Sequence, residues 1–123
     1  MSGNNLLLDT NIVLYLLNGD VTLIPLLEDK NLFVSFITQL ELLVYKDLSQ
    51  KDLDNIQMFL AECTIIDITP PIKDTTVDLR RKYNLKLPDS IIIATGIWLN
   101  IPVISSDLDF TKVEEADIIS YER

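Results

Sequence analysis

Leu6-Leu7-Leu8-Asp9-Thr10-Asn11 is the stretch from which the fold can be read. Three apolar residues without polar alternation suit a strand buried on both faces, as in a parallel sheet covered by helices. Ile12 to Leu17 then reads as a helix closed by Asn18-Gly19. A strand that runs straight into a helix is the first half of a βαβ unit, and the rest of the chain repeats the alternation.

Working outward, a short helix is expected within Asp20 to Glu28, with Pro25 awkward inside it. Leu32-Phe33-Val34 is a second strand, and Thr38 opens a helix to about Leu48. Ser49 caps a further helix over Gln50 to Ala61. Thr64 to Ile68 is a third strand, which places Asp67 inside it. Thr69-Pro70-Pro71 starts a helix whose inner face is Ile72, Thr76, Leu79 and Tyr83, spaced 4, 3 and 4. Pro88 to Leu99 contains the strand-like Ile91-Ile92-Ile93, but its length, opening proline and Ala94 favour a buried helix. Pro102 to Ser105 is a fourth strand and Asp117 to Ser120 a weaker fifth. The expectation is a single α/β domain over residues 1–123, with a mainly parallel sheet of about five strands and helices on both faces.

Composition narrows the chemistry. The 123 residues include no histidine and one cysteine. Ser–His–Asp and Cys–His catalysis are excluded, as are a His-ligated zinc site and an intrachain disulfide. Cys63 reads as a small core residue. The net charge of −9 argues against a general nucleic-acid coat or membrane-surface binder. Met1-Ser2-Gly3-Asn4-Asn5 lacks the basic start and long apolar region of a signal peptide, and no apolar run approaches the ~18 residues of a membrane span. A soluble protein of a reducing cytoplasm is expected.

In open α/β sheets ligands bind beyond the carboxyl ends of the strands. Asp9 follows the first strand there, and Asp107 and Asp109 follow the fourth. Glu41 and Asp89 lie near the starts of helices. Each also has a purely structural reading. Asp9 could cap a helix, and Glu41 could complete a capping box with Thr38. Asp89 could answer a helix dipole, and Asp107-Leu108-Asp109 could be an acidic turn. Capping, however, does not require four acids to fall on one edge. If they converge, their repulsion calls for protonation or a bound cation, and hard oxygen donors suit Mg²⁺ or Mn²⁺. That constellation points to metal-assisted phosphoryl transfer.

Four segments in order carry a family resemblance. They are Leu6 to Asn11, Ser35-Phe36-Ile37-Thr38-Gln39-Leu40-Glu41-Leu42, Leu87-Pro88-Asp89-Ser90-Ile91-Ile92-Ile93-Ala94, and Val103-Ile104-Ser105-Ser106-Asp107-Leu108-Asp109-Phe110. Together they span essentially the whole chain and resemble the PIN-domain nucleases, within them the VapC-like toxins of toxin–antitoxin pairs. The resemblance implies an acidic quartet of Asp9, Glu41, Asp89 and Asp107 around Mg²⁺ or Mn²⁺. It implies Ser105 as the hydroxyl beside it, Asn11 as a buttress of Asp9, and Asp109 as a lesser acid. Ser90 stands where the family usually has alanine, and Ser105 where it has threonine.

The activity so implied is hydrolysis of RNA phosphodiester bonds by in-line attack of water, leaving 5′-phosphate and 3′-hydroxyl ends. The resemblance also implies a small antitoxin with a basic segment, which the acidic surface suits, and a homodimer. The apolar helices Ile12 to Leu17 and Leu40 to Tyr45 could supply the antitoxin's groove. Arg80, Arg81, Lys82 and Lys86 lead to Asp89 and could contact RNA phosphates, or could be a solvated face with a pair such as Asp78–Lys82. A non-toxin PIN nuclease in RNA processing and a catalytically idle PIN-type binding module are the alternatives. A receiver domain and a phosphatase with a nucleophilic Asp9 fit less well. The first leaves Glu41 and Asp89 without a role, and the second wants an acid where Asn11 stands.

Overall fold

The computed structural model describes residues 4–122; Met1-Ser2-Gly3, part of the segment read for a leader, lies outside them. Five strands form one sheet: β1 (Asn5–Leu8), β2 (Asn31–Ser35), β3 (Thr64–Ile66), β4 (Val103–Ser105) and β5 (Ile118–Ser120). Their order is β3-β2-β1-β4-β5, and every pairing is parallel. Six α-helices connect them: α1 (Thr10–Leu17), α2 (Ile24–Leu27), α3 (Phe36–Leu43), α4 (Gln50–Ala61), α5 (Pro70–Lys82) and α6 (Leu87–Leu99).

The apolar run at residues 6–8 behaves as a central parallel strand should. Successive side chains of a strand point to opposite faces. Leu6 and Leu8 join Ile12, Val13, Leu42, Ile56 and Leu60 in one buried cluster, the layer of α1, α3 and α4. Leu7 joins Ile72, Leu79, Ile92, Ile93 and Phe110 in the other, the layer of α5 and α6. Leu7 and Leu8 are wholly buried. The sheet is therefore covered on both sides, as the alternation of elements predicts.

The residues at 91–93 lie in helix α6, and its run from Ser90 to Gly96 is buried without interruption. Buried Ser90 satisfies its hydroxyl on the Lys86 carbonyl, 3.0 Å away, so a serine costs little in that apolar setting. Gly96 lets α6 approach β4. A Cβ there would overlap the Val103 side chain and lie 3.4 Å from the Ile101 carbonyl oxygen.

Three expectations need correction. Helix α3 starts at Phe36 with Ser35 as its N-cap, the Ser35 hydroxyl accepting from Ile37 N at 3.2 Å. Thr38 thus lies inside the helix and makes no capping box with Glu41. The same helix stops at Leu43 rather than Leu48, with Val44 as its C-cap, and the chain then turns through Asp47 at φ 62° before Ser49 caps α4. Strand β3 ends at Ile66, so exposed Asp67 follows it, its carboxylate accepting from Ile68 N. Pro25 is accommodated because it stands in the first turn of α2.

Candidate active site

Asp9 is the first residue beyond β1 and the N-cap of α1. It is 4% exposed. Its Oδ1 accepts from Thr10 N and its Oδ2 from Ser105 Oγ, both at 2.7 Å. The register of the sheet brings these partners together. Leu8 pairs with Ile104, and Asp9 N donates to the Ile104 carbonyl at 3.0 Å, so Ser105 falls beside Asp9. The Ser105 hydroxyl also accepts from Asp107 N at 3.0 Å. One buried hydroxyl thereby links two of the acids.

Asp107 caps the 3₁₀ turn Leu108–Lys112, accepting from Asp109 N at 2.9 Å. Asp89 is in the first turn of α6, half-buried. Glu41, on α3, accepts from the Thr10 hydroxyl at 2.7 Å. Asp9, Glu41, Asp89 and Asp107 all line one cleft of about 220 Å³, together with Thr10, Asn11, Leu14, Tyr45, Lys86 and Pro88. It opens at the carboxyl edge of the sheet, where the topology rule places ligands.

Burial pushes the Asp9 carboxyl up from 3.8 to about 6. The charges of Asp89 and Asp107 add to the rise, while the hydrogen bonds from Ser105 and Thr10 oppose it. Asp89 is likewise raised, first by burial and then by Asp107, with Lys86 working against the rise. The acids are therefore close enough to feel one another. Both perturbations come first from burial and then from the neighbouring carboxylates.

The predicted supporting residues divide. Asn11 lies exposed at the cleft, and the hydrogen bonds that hold Asp9 come from Thr10 and Ser105 instead. Thr10 stands in the Asp9-Thr10-Asn11 stretch, but the sequence assigned it no role, because a threonine opening a helix does not reveal its partners. Its partners Thr38 and Glu41 are 28 and 31 residues away. Asp109 is exposed and paired to Lys112 at 2.8 Å. It shares an adjoining trough of about 410 Å³ with Arg80, Asn84, Lys86, Asp89 and Asp107. Of the four basic residues expected near the site, Arg80 and Lys86 line this trough, and Arg80 Nη1 donates to the Leu85 carbonyl at 2.7 Å. Lys82 pairs with Glu115 at 3.1 Å, rather than with Asp78. Arg81 is exposed. Cys63 is partly buried against the core, its thiol donating to the Phe59 carbonyl, and burial pushes it up to about 11.

The donor set is hard oxygen throughout, which suits Mg²⁺ or Mn²⁺. Among the described residues no group of three or more acidic side chains stands ready to hold a metal ion. The cleft therefore fits a cation held by one or two carboxylates and completed by water, which is the usual habit of Mg²⁺. It does not fit a preformed cage.

A family model for the PIN domain matches residues 6–116. The chain belongs to the PIN domain family. A chain in a toxin–antitoxin complex from Klebsiella pneumoniae is 32% identical over 95% of this PIN domain chain and 98% of its own, with a TM-score of 0.79. A chain of VapBC2 from Rickettsia felis, bound to a fragment of promoter DNA, superimposes with a TM-score of 0.81 at 18% identity, covering 96% and 99%. A chain of VapBC-1 from nontypeable Haemophilus influenzae gives 0.80 at 20%, covering 94% and 97%. The last two share the PIN fold. No curated protein matches the chain.

Proposed function

We propose that this PIN domain is the toxin of a toxin–antitoxin pair, a cytoplasmic endoribonuclease dependent on Mg²⁺ or Mn²⁺. The observation that carries the reading is the meeting of Asp9, Glu41, Asp89 and Asp107 in one cleft, although they come from four separate parts of the sequence. The 32% identical chain from a toxin–antitoxin complex supports it.

Asp9, Asp89 and Asp107 would hold the cation, one or two of them directly and the rest through water, with Glu41 at its side. Bound there, a divalent cation would supply Lewis-acid stabilisation of developing negative charge at the scissile phosphate and a more acidic water. Buried Ser105 fixes the direction of Asp9 and the backbone of Asp107, so two donors keep their places without rearranging. Lys86 and Arg80 stand beside the acids, where they would take the flanking phosphates of an RNA strand.

The antitoxin is the second part of the proposal. A groove of about 170 Å³ runs between α1, the α3–α4 connection and α4, lined by Leu14, Leu17, Tyr45, Leu48 and Ile56 with Asp52 at its margin. Leu40, Val44 and Tyr45 nearby are exposed apolar side chains, Val44 at 71%. An apolar helix with a basic extension suits this groove and the acidic cleft beside it. A homodimer belongs to the same proposal and is checked by sedimentation of the purified chain.

The test is RNA cleavage by antitoxin-free protein, wild type against Asp9→Asn, with Mn²⁺ or Mg²⁺ and with EDTA. Cleavage that requires the metal, leaves 5′-phosphate ends and vanishes in the variant is expected. Cyclic phosphate ends, or cleavage that survives EDTA, would overturn the mechanism. A folded wild type that neither cuts RNA nor binds Mn²⁺ would make the domain a binding module.

A further inference from the structure

Asp9 and Glu41 stand on different elements, and one residue touches both. Thr10 gives its backbone N–H to Asp9 and its hydroxyl proton to Glu41 Oε1, each at 2.7 Å. The same hydroxyl oxygen lies 2.9 Å from Thr38 Oγ1. A hydroxyl has one proton and two lone pairs. With the Thr10 proton committed to a carboxylate, the contact with Thr38 requires Thr38 to be the donor. The result is a directed series, Thr38 to Thr10 to Glu41, in which each bond polarises the next. Thr38 is fully buried and Thr10 is 8% exposed, so water does not compete for the bond between them, while the bond to Glu41 lies at the wall of the cleft. Thr38 and Glu41 are three residues apart on one face of α3, and Thr10 opens α1, so the series crosses between two helices.

We propose that Thr10 is the positioning residue of the cleft. It sets the separation of Asp9 from Glu41, and by engaging Glu41 Oε1 it leaves Oε2 as the oxygen that would serve a cation. Asn11, next in the chain, lines the cleft without that function. The inference rests on the cation-dependent reading above and adds to it the residue that makes Glu41 a one-oxygen donor. A mere tie between α1 and α3 would be a matter of stability alone. The proposal differs in requiring the hydroxyl for cation affinity.

The experiment is calorimetric titration of the full chain with Mn²⁺ alone, on wild type, Thr10→Val, Thr10→Ser and Thr38→Val, with urea unfolding of each in parallel. Removing a group that orients a metal ligand typically costs about 10–100-fold in affinity. Thr10→Val is expected to lose that much, and Thr10→Ser to return to within a few-fold of wild type. Thr38→Val is expected to lose less than Thr10→Val, since the Thr10 proton still reaches Glu41, and it serves as the test if Thr10→Val does not fold. Wild-type affinity in folded Thr10→Val, a Thr10→Ser variant as weak as Thr10→Val, or an unchanged Thr38→Val would each overturn the proposal. Failure of the wild type itself to bind Mn²⁺ would instead bring down the cation-dependent reading on which it rests.

Discussion

Replacing Asp9 by asparagine should make the cation-free protein more stable while disabling its site. The folded chain holds the Asp9 proton more tightly than the unfolded chain, because the carboxyl is raised from 3.8 to about 6. Ionising Asp9 therefore costs folded-state stability. The cost is absent below pH 3.8, accumulates as the pH rises toward about 6, and is complete above that. A separation of about two pH units, at about 1.4 kcal/mol each, is worth about 3 kcal/mol. Asparagine keeps an oxygen for the Thr10 N–H and carries no charge to desolvate. Urea unfolding in EDTA at pH 7.5 should thus show Asp9→Asn more stable than wild type by about 3 kcal/mol, and at pH 4 the two should nearly coincide. Charge repulsion elsewhere in the cleft is common to both proteins and drops out of the difference. A variant no more stable at pH 7.5 than at pH 4, relative to wild type, would refute the claim that burial strains this carboxylate.

Ser105→Ala removes a hydrogen bond to a charged group, worth about 1.5–3 kcal/mol. The Asp9 carboxyl, followed by ¹³C resonance, should then titrate about one to two pH units higher than in wild type; an unmoved midpoint would deny Ser105 its role. Gly96→Ala should lower stability in urea by a net of about 1 kcal/mol or more, since overpacking against Val103 outweighs the roughly 1 kcal/mol gain in helix propensity. Val44→Glu, at a position 71% exposed, should change stability by less than about 0.5 kcal/mol. It should nevertheless weaken capture of a co-expressed antitoxin, and full retention would place the partner elsewhere.

The fold was legible where burial leaves a plain mark. Leu6-Leu7-Leu8 and Val103-Ile104-Ser105 announce two-sided burial, and the proline-led opening of residues 88–99 outweighed the strand-like isoleucines within it. Two features were not legible. Helix α3 ends at Leu43 and the chain turns at positive φ through Asp47, with no glycine or proline between them to signal either. Thr38 and Glu41 have the spacing of a capping box, yet Thr38 turns into the core and bonds to Thr10. Local spacing cannot reveal a partner that only the sheet brings near. The gathering of acids could be anticipated from strand ends, since topology dictates it. Which hydroxyls orient them depends on contacts across 28 to 96 residues.

That last separation has a consequence for how the molecule comes into being. Asp9 sits on the central strand, but Ser105, its hydrogen-bond partner, follows it by 96 positions. A nascent chain that has left the ribosome only through β3 carries Asp9 and Glu41 without Asp89, Ser105 or Asp107. The middle of its sheet still lacks the β4 neighbour. Domains emerge and fold as units during synthesis, so the cleft is among the last features to close. If the finished chain is a poison, its unfinished forms are harmless by construction, and an antitoxin need only meet molecules whose translation has passed β4.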